Sequence, residues 1–131
     1  MRMTFVRWVL ALEAATFLLA SLLHLGVAVP LLSTLGEPLM PQAGIPEGII
    51  GLVLAAAAVV AFAGSSLARP AIVIALVFAI LGLLVGMFAL AYGLAPATAA
   101  NELYHRVVLV ALVATVVVAL LLGGPQARRS S

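Results

Sequence analysis

Cysteine, lysine and aspartate are all absent from this 131-residue sequence, and only 8% of its residues carry charge. Without cysteine there are no disulfides, thiolate metal sites, iron–sulfur clusters or thiol nucleophiles. The positive charge is confined to six scattered arginines. No basic face can therefore neutralise a run of phosphates, and nucleic acid is not an expected partner. The shortage of charge also argues against a soluble fold, because a water-facing surface normally draws on about 25% charged residues. What fills the chain instead is apolar: 66% of residues are hydrophobic.

A bilayer core about 30 Å thick needs roughly 20 helical residues to cross it. Four apolar runs of that length, each bounded by Pro, Gly or charge, predict helices over about 5–29, 47–67, 71–94 and 102–122. Pro30 stops the first, Pro46 opens the second and Gly64-Ser65-Ser66 closes it, Pro70 opens the third and Pro96 follows it, and Gly123-Gly124-Pro125 ends the fourth. Proline at helix starts and Gly or Pro just past helix ends is the usual asymmetry. The expected fold is all-α, a single integral membrane four-helix bundle with one sizeable loop, 31–45. The apolar run after Arg2 and Arg7 is too long for a secretory signal, contains Glu13 and lacks a small-residue cleavage site, so it reads as a span.

Arg2, Arg7, Arg69, Arg128 and Arg129 all fall on one side of such a bundle, and the other two connections contain no Lys or Arg. By the positive-inside rule both termini are expected to be cytoplasmic, in a plasma (inner) membrane. Trp8 then lies near the inner interface, with Tyr92 and Tyr104 near the outer one. Small residues recur along the third span at Ala71, Ala75, Ala79, Gly82 and Gly86, and along the second at Gly48, Gly51, Ala55 and Ala58. Such stripes permit close helix contact in lipid, within the bundle or, through Gly82 and Gly86, in a homo-oligomer.

Polar groups inside a membrane are expensive and tend to be functional. Here they gather toward the outer ends: His24 on the first span, Glu47 on the second, and Asn101, Glu102, Tyr104, His105 and Arg106 on the fourth. Histidines at matched depth on two helices are the arrangement by which bundles hold haem b, and an added carboxylate suits a Zn or Cu ion. His24, His105, Glu102 and Glu47 are thus the candidate ligands, with Tyr104, Asn101 and Arg106 in support and Met40 and Met87 as possible soft donors. Helix chemistry alone also accounts for several of them. Carboxylates at 47 and 102 favour the positive end of a helix, Asn101 is a good N-cap, and Glu102 and Arg106 form an i, i+4 pair.

Glu13 lies about a third of the way into the first span, too deep to snorkel easily to an interface. It shares a face with His24 three turns on, with Thr16 close to that stripe. It is the candidate proton-coupling residue. A lone glutamate in the first of four short spans resembles the small multidrug resistance transporters, and the resemblance implies exchange of protons for cationic substrates at Glu13. It covers that residue and the overall size. The second span lacks that family's Lys-opened, Pro- and aromatic-rich segment, and the loop 31–45 is longer than its turns. Expectation therefore ranks ligand binding at the outer polar layer first and proton-coupled transport through Glu13 second. After these come an enzyme acting on an apolar substrate and an accessory subunit without chemistry.

Overall fold

The computed structural model describes residues 2–35 and 38–122. Glu37, the Gly123-Gly124-Pro125 stop and Arg128 and Arg129 lie outside the described residues. Among those described, helices α1 (Arg2–His24), α2 (Pro41–Phe62), α3 (Ala68–Ala91) and α4 (Ala99–Leu122) are joined without strands, and one 3₁₀ turn, Leu32–Leu35, sits in the α1–α2 connection. Each of the four is long and apolar enough to cross a membrane. Neighbours in sequence pack on each other and α4 returns to touch α1, which closes a ring of four helices. The protein is thus an all-α bundle of the kind a small membrane protein is built from.

Helix ends depart from the expected ones for a common reason. α1 stops at His24, not at Val29, because Gly26 adopts a left-handed φ of +82°. Its amide bonds Leu23 O and that of Val27 bonds Leu22 O, the paired pattern of a Schellman stop. Gly93, at φ +67°, ends α3 the same way, with Gly93 N bonding Leu90 O and Leu94 N bonding Ala89 O. Single glycines, not the later prolines, terminate both helices. α2 starts six residues ahead of Glu47, with Pro41 in its first turn and Pro46 inside the helix. Pro46 has no N–H to give the Gln42 carbonyl, and the helix runs through this one missing bond. The loop expected to end at residue 45 therefore ends at Met40, whose amide bonds the His24 carbonyl at 2.9 Å and ties the two helix ends together. At α4 the N-cap is Thr98, whose Oγ1 accepts the Asn101 amide at 3.0 Å, so the capping role assigned to Asn101 belongs to Thr98.

α1 and α2 approach most closely. A Cβ on Gly44 would lie 3.1 Å from Ser21 O, and one on Gly51 would lie 2.8 Å from Leu18 Cγ and 3.1 Å from Leu18 N. Ser21 Oγ donates across the contact to Gly44 O at 2.7 Å. The glycines of α3 also face inward: a Cβ on Gly82 would meet Ile50 Cδ1 at 2.6 Å, and one on Gly86 would meet His105 Nε2 at 3.3 Å. Gly82 and Gly86 thus serve packing inside the chain. The apolar core runs down the bundle axis through Leu10, Phe17, Leu54, Ile72, Leu76 and Leu112, each fully buried.

Candidate functional site at the loop end of the bundle

The buried stripe of α1 recurs every three to four residues through Val6, Leu10, Glu13, Phe17, Ser21 and His24. This spacing is a helical face turned to the core, and it carries polar groups at two levels. The upper level lies where the α1–α2 and α3–α4 connections meet. There His24 (3% exposed), Glu47 (5%), Asn101 (5%) and His105 (6%) are buried together with Met40.

His24 Nδ1 and Glu47 Oε2 are 2.6 Å apart, in a pair with side chains 4% and 7% exposed. Because α2 begins at Pro41, Glu47 sits nearly two turns inside it. Its place is therefore explained by the imidazole across the helix contact and not by a first-turn dipole. Glu47 Oε1, sealed from solvent, has no partner among the described residues.

His105 is held differently. Its Nδ1 lies 2.8 Å from the Asn101 carbonyl, one turn back on α4. A carbonyl oxygen only accepts, so Nδ1 carries the hydrogen and Nε2 of the neutral ring is an acceptor. Nε2 is directed at Gly86 of α3. No protein donor reaches it among the described residues. The side-chain amide of Asn101 is likewise without a hydrogen-bond partner there.

A cavity of about 300 Å³ opens beside these groups, its wall including Met40, Gln42, Glu47, Ile50, Gly82, Leu83, Gly86, Ala89, Leu90, Asn101 and His105. Asn101 also borders a second cavity of about 260 Å³ between α1 and α4, lined by Leu19, Ala20, Leu23, His24, Leu32 and Tyr104. Both are predominantly apolar, with a few polar groups at one end, the usual make-up of a small-molecule site.

Other residues singled out in the sequence are placed elsewhere. Glu102 turns outward to Arg106, 3.3 Å away, with side chains 47% and 71% exposed. This surface pair stands apart from Glu47. The Tyr104 ring packs edge-on against Phe17 at 6.4 Å and against His105 at 5.2 Å, and its hydroxyl is sealed without a partner among the described residues. Thr16 bonds the Leu12 carbonyl of its own helix at 2.8 Å. Met87 lines a further cavity of about 260 Å³ with Leu90, Glu102, His105 and Arg106.

The ligand set expected for a metal ion is not drawn together among the described residues. Among the described residues no three His, Asp or Glu side chains come together, whereas a protein-held ion normally has about three or four protein donors. Each ring is held through Nδ1, His24 by Glu47 Oε2 and His105 by the Asn101 carbonyl, and His105 Nε2 lies toward Gly86.

At the lower level, Glu13 is reached from α4: Thr115 Oγ1 lies 2.7 Å from Glu13 Oε1 and 2.9 Å from the Ala111 carbonyl. Glu13 Oε2 is sealed and has no partner among the described residues, and the same holds for Arg7 Nε. The fully buried Phe17 lies between Glu13 and the upper level on the α1 stripe. The two levels are separate sites.

Sequence reasoning missed Thr115 and the tautomer of His105. The first needed the α1–α4 contact, and the second needed the rotamer that turns the ring back onto its own helix. No family model, no curated protein and no solved structure matches this chain.

Proposed function

We propose that this protein is a small membrane-embedded binding protein that takes a small, largely apolar molecule into the cavity between α2, α3 and α4. One observation carries the reading. A cavity of about 300 Å³ is walled mainly by apolar side chains and bordered by His105 and Asn101, both residues more than nine-tenths buried, whose Nε2 and side-chain amide have no hydrogen-bond partner among the described residues. Buried polar groups are nearly always hydrogen-bonded, so unpaired ones beside open space call for a partner. The His24–Glu47 pair and the Ser21–Gly44 bond fasten α1 to α2 at the same level and keep the mouth of the site in shape. The arginine distribution supports an outward-facing site. The resident metal or haem of the sequence reading gives way here to an organic ligand.

The test is photolabelling in liposomes with octanol carrying an alkyl diazirine. Adducts are expected on cavity-wall residues such as Ile50, Leu83 and Leu90, and Ala89→Leu, which fills the space, should suppress them. Labelling spread evenly over the lipid-facing helix surfaces and indifferent to Ala89→Leu would overturn the proposal.

A second reading, proton coupling at Glu13, is favoured by its burial against Thr115 with one oxygen unpartnered. Its test is proton-dependent flux in liposomes, which Glu13→Gln should abolish.

A further inference from the structure

Resting on the proposed binding function, the chemistry of the cavity wall specifies which head group its ligand carries. His105 presents an acceptor at Nε2, because the Asn101 carbonyl holds the hydrogen on Nδ1. Asn101 presents an amide, which both donates and accepts. A single group that donates to Nε2 while exchanging a hydrogen bond with the amide satisfies both residues. Hydroxyls and primary amides do this.

Charged heads are disfavoured by what is missing near the cavity. Glu47 is the one carboxylate in its wall, but Oε2 is 2.6 Å from His24 Nδ1 and Oε1 is sealed from any probe the size of water. An ammonium group entering the cavity therefore finds no open counter-charge. An anion fares no better, since among the described residues no arginine lines this cavity, and Arg106, which lines the adjoining one with His105, is exposed and engaged with Glu102 at 3.3 Å. Burying an uncompensated charge in so apolar a space is far more costly than burying a satisfied hydroxyl or amide.

We infer that the cavity selects uncharged amphiphiles whose head is a hydroxyl or primary amide, bound by His105 Nε2 and the Asn101 side chain, with the alkyl portion along Ile50, Leu83 and Leu90. Gly86 sets the clearance: a Cβ there would stand 3.3 Å from Nε2, in the space the head group uses.

Four probes of equal chain length test this: octanol, octanamide, octylamine and octanoate. Each is titrated at neutral pH into the detergent-solubilised protein while the thermal unfolding midpoint is followed. Ala89→Leu, with the cavity filled, supplies the baseline for partition into detergent. Octanol and octanamide are expected to raise the midpoint of the parent protein above that baseline, with apparent affinities at least tenfold tighter than octylamine and octanoate. His105→Phe should erase the preference, and Asn101→Leu should do the same if the His105 variant does not fold. Equal affinity for all four probes, each still sensitive to Ala89→Leu, overturns the head-group inference and leaves the binding function standing. No shift above baseline with any probe overturns the binding function itself.

Discussion

Removing one member of the His24–Glu47 pair offers a quantitative check on how the loop end is held. The pair is short, at 2.6 Å, and nearly sealed, with side chains 4% and 7% exposed. In His24→Leu, Glu47 loses its partner at Oε2 while Oε1 is already unpartnered, so the carboxyl is left buried with neither oxygen satisfied. Stranding one half of a buried ion pair in this way costs about 3–5 kcal/mol. A neutral interhelical hydrogen bond in a membrane protein contributes only about 0.6 kcal/mol on average. The two descriptions differ enough to separate by experiment. Glu47→Leu should also destabilise, by leaving the imidazole without its carboxylate. Replacing both by leucine removes both polar groups, and such replacements are often neutral or stabilising. The double variant is therefore expected to be more stable than either single one, with a coupling energy of at least about 2 kcal/mol. Reversible unfolding of the four proteins in mixed micelles provides the readout. Losses that simply add in the double variant would refute the view that the residues act as one buried pair.

Three further outcomes follow from the packing. Gly51→Ala places a Cβ 2.8 Å from Leu18 Cγ and 3.1 Å from Leu18 N; with backbone in the way it should cost about 1–3 kcal/mol, measured by the same unfolding assay. Gly64→Ala meets nothing within 4 Å but must hold φ at +69°, so only the left-handed penalty of about 1 kcal/mol applies and the unfolding midpoint should fall slightly. Thr115→Val removes the hydroxyl that reaches Glu13 and should destabilise by about 1–2 kcal/mol, whereas Thr115→Ser should keep most of the stability; equal behaviour of the two variants would mean the hydroxyl is idle.

Much of the architecture was readable because membrane physics is severe. Four apolar runs of the right length left few alternatives to four helices. Helix ends were less legible: Pro30, Pro46 and Pro96 drew the boundaries, while Gly26, Pro41, Gly93 and Thr98 in fact set them. A proline announces itself in any context, but a glycine stops a helix only if its φ turns positive, and that depends on the chain that follows. For the candidate site, depth along each span grouped His24, Glu47, Asn101 and His105, which the fold brings to one end of the bundle, since rise per residue needs no tertiary information. Depth says nothing about azimuth. Glu102 and His105 share a helix and lie three residues apart, yet one faces Arg106 at the surface and the other faces Gly86 in the interior. Among the described residues Glu102 therefore does not join His24, Glu47 and His105 in a shared cluster.

The central claim is that His105 offers an acceptor nitrogen to a ligand in the cavity. Nitrogen NMR of protein carrying ¹⁵N-labelled histidine tests it most directly. His105 should show a protonated Nδ1 and an unprotonated Nε2, and on addition of octanol the Nε2 resonance alone should move toward the hydrogen-bonded position, with no such movement in Ala89→Leu. A His105 protonated at Nε2, or an Nε2 resonance that octanol leaves unchanged, would contradict the account.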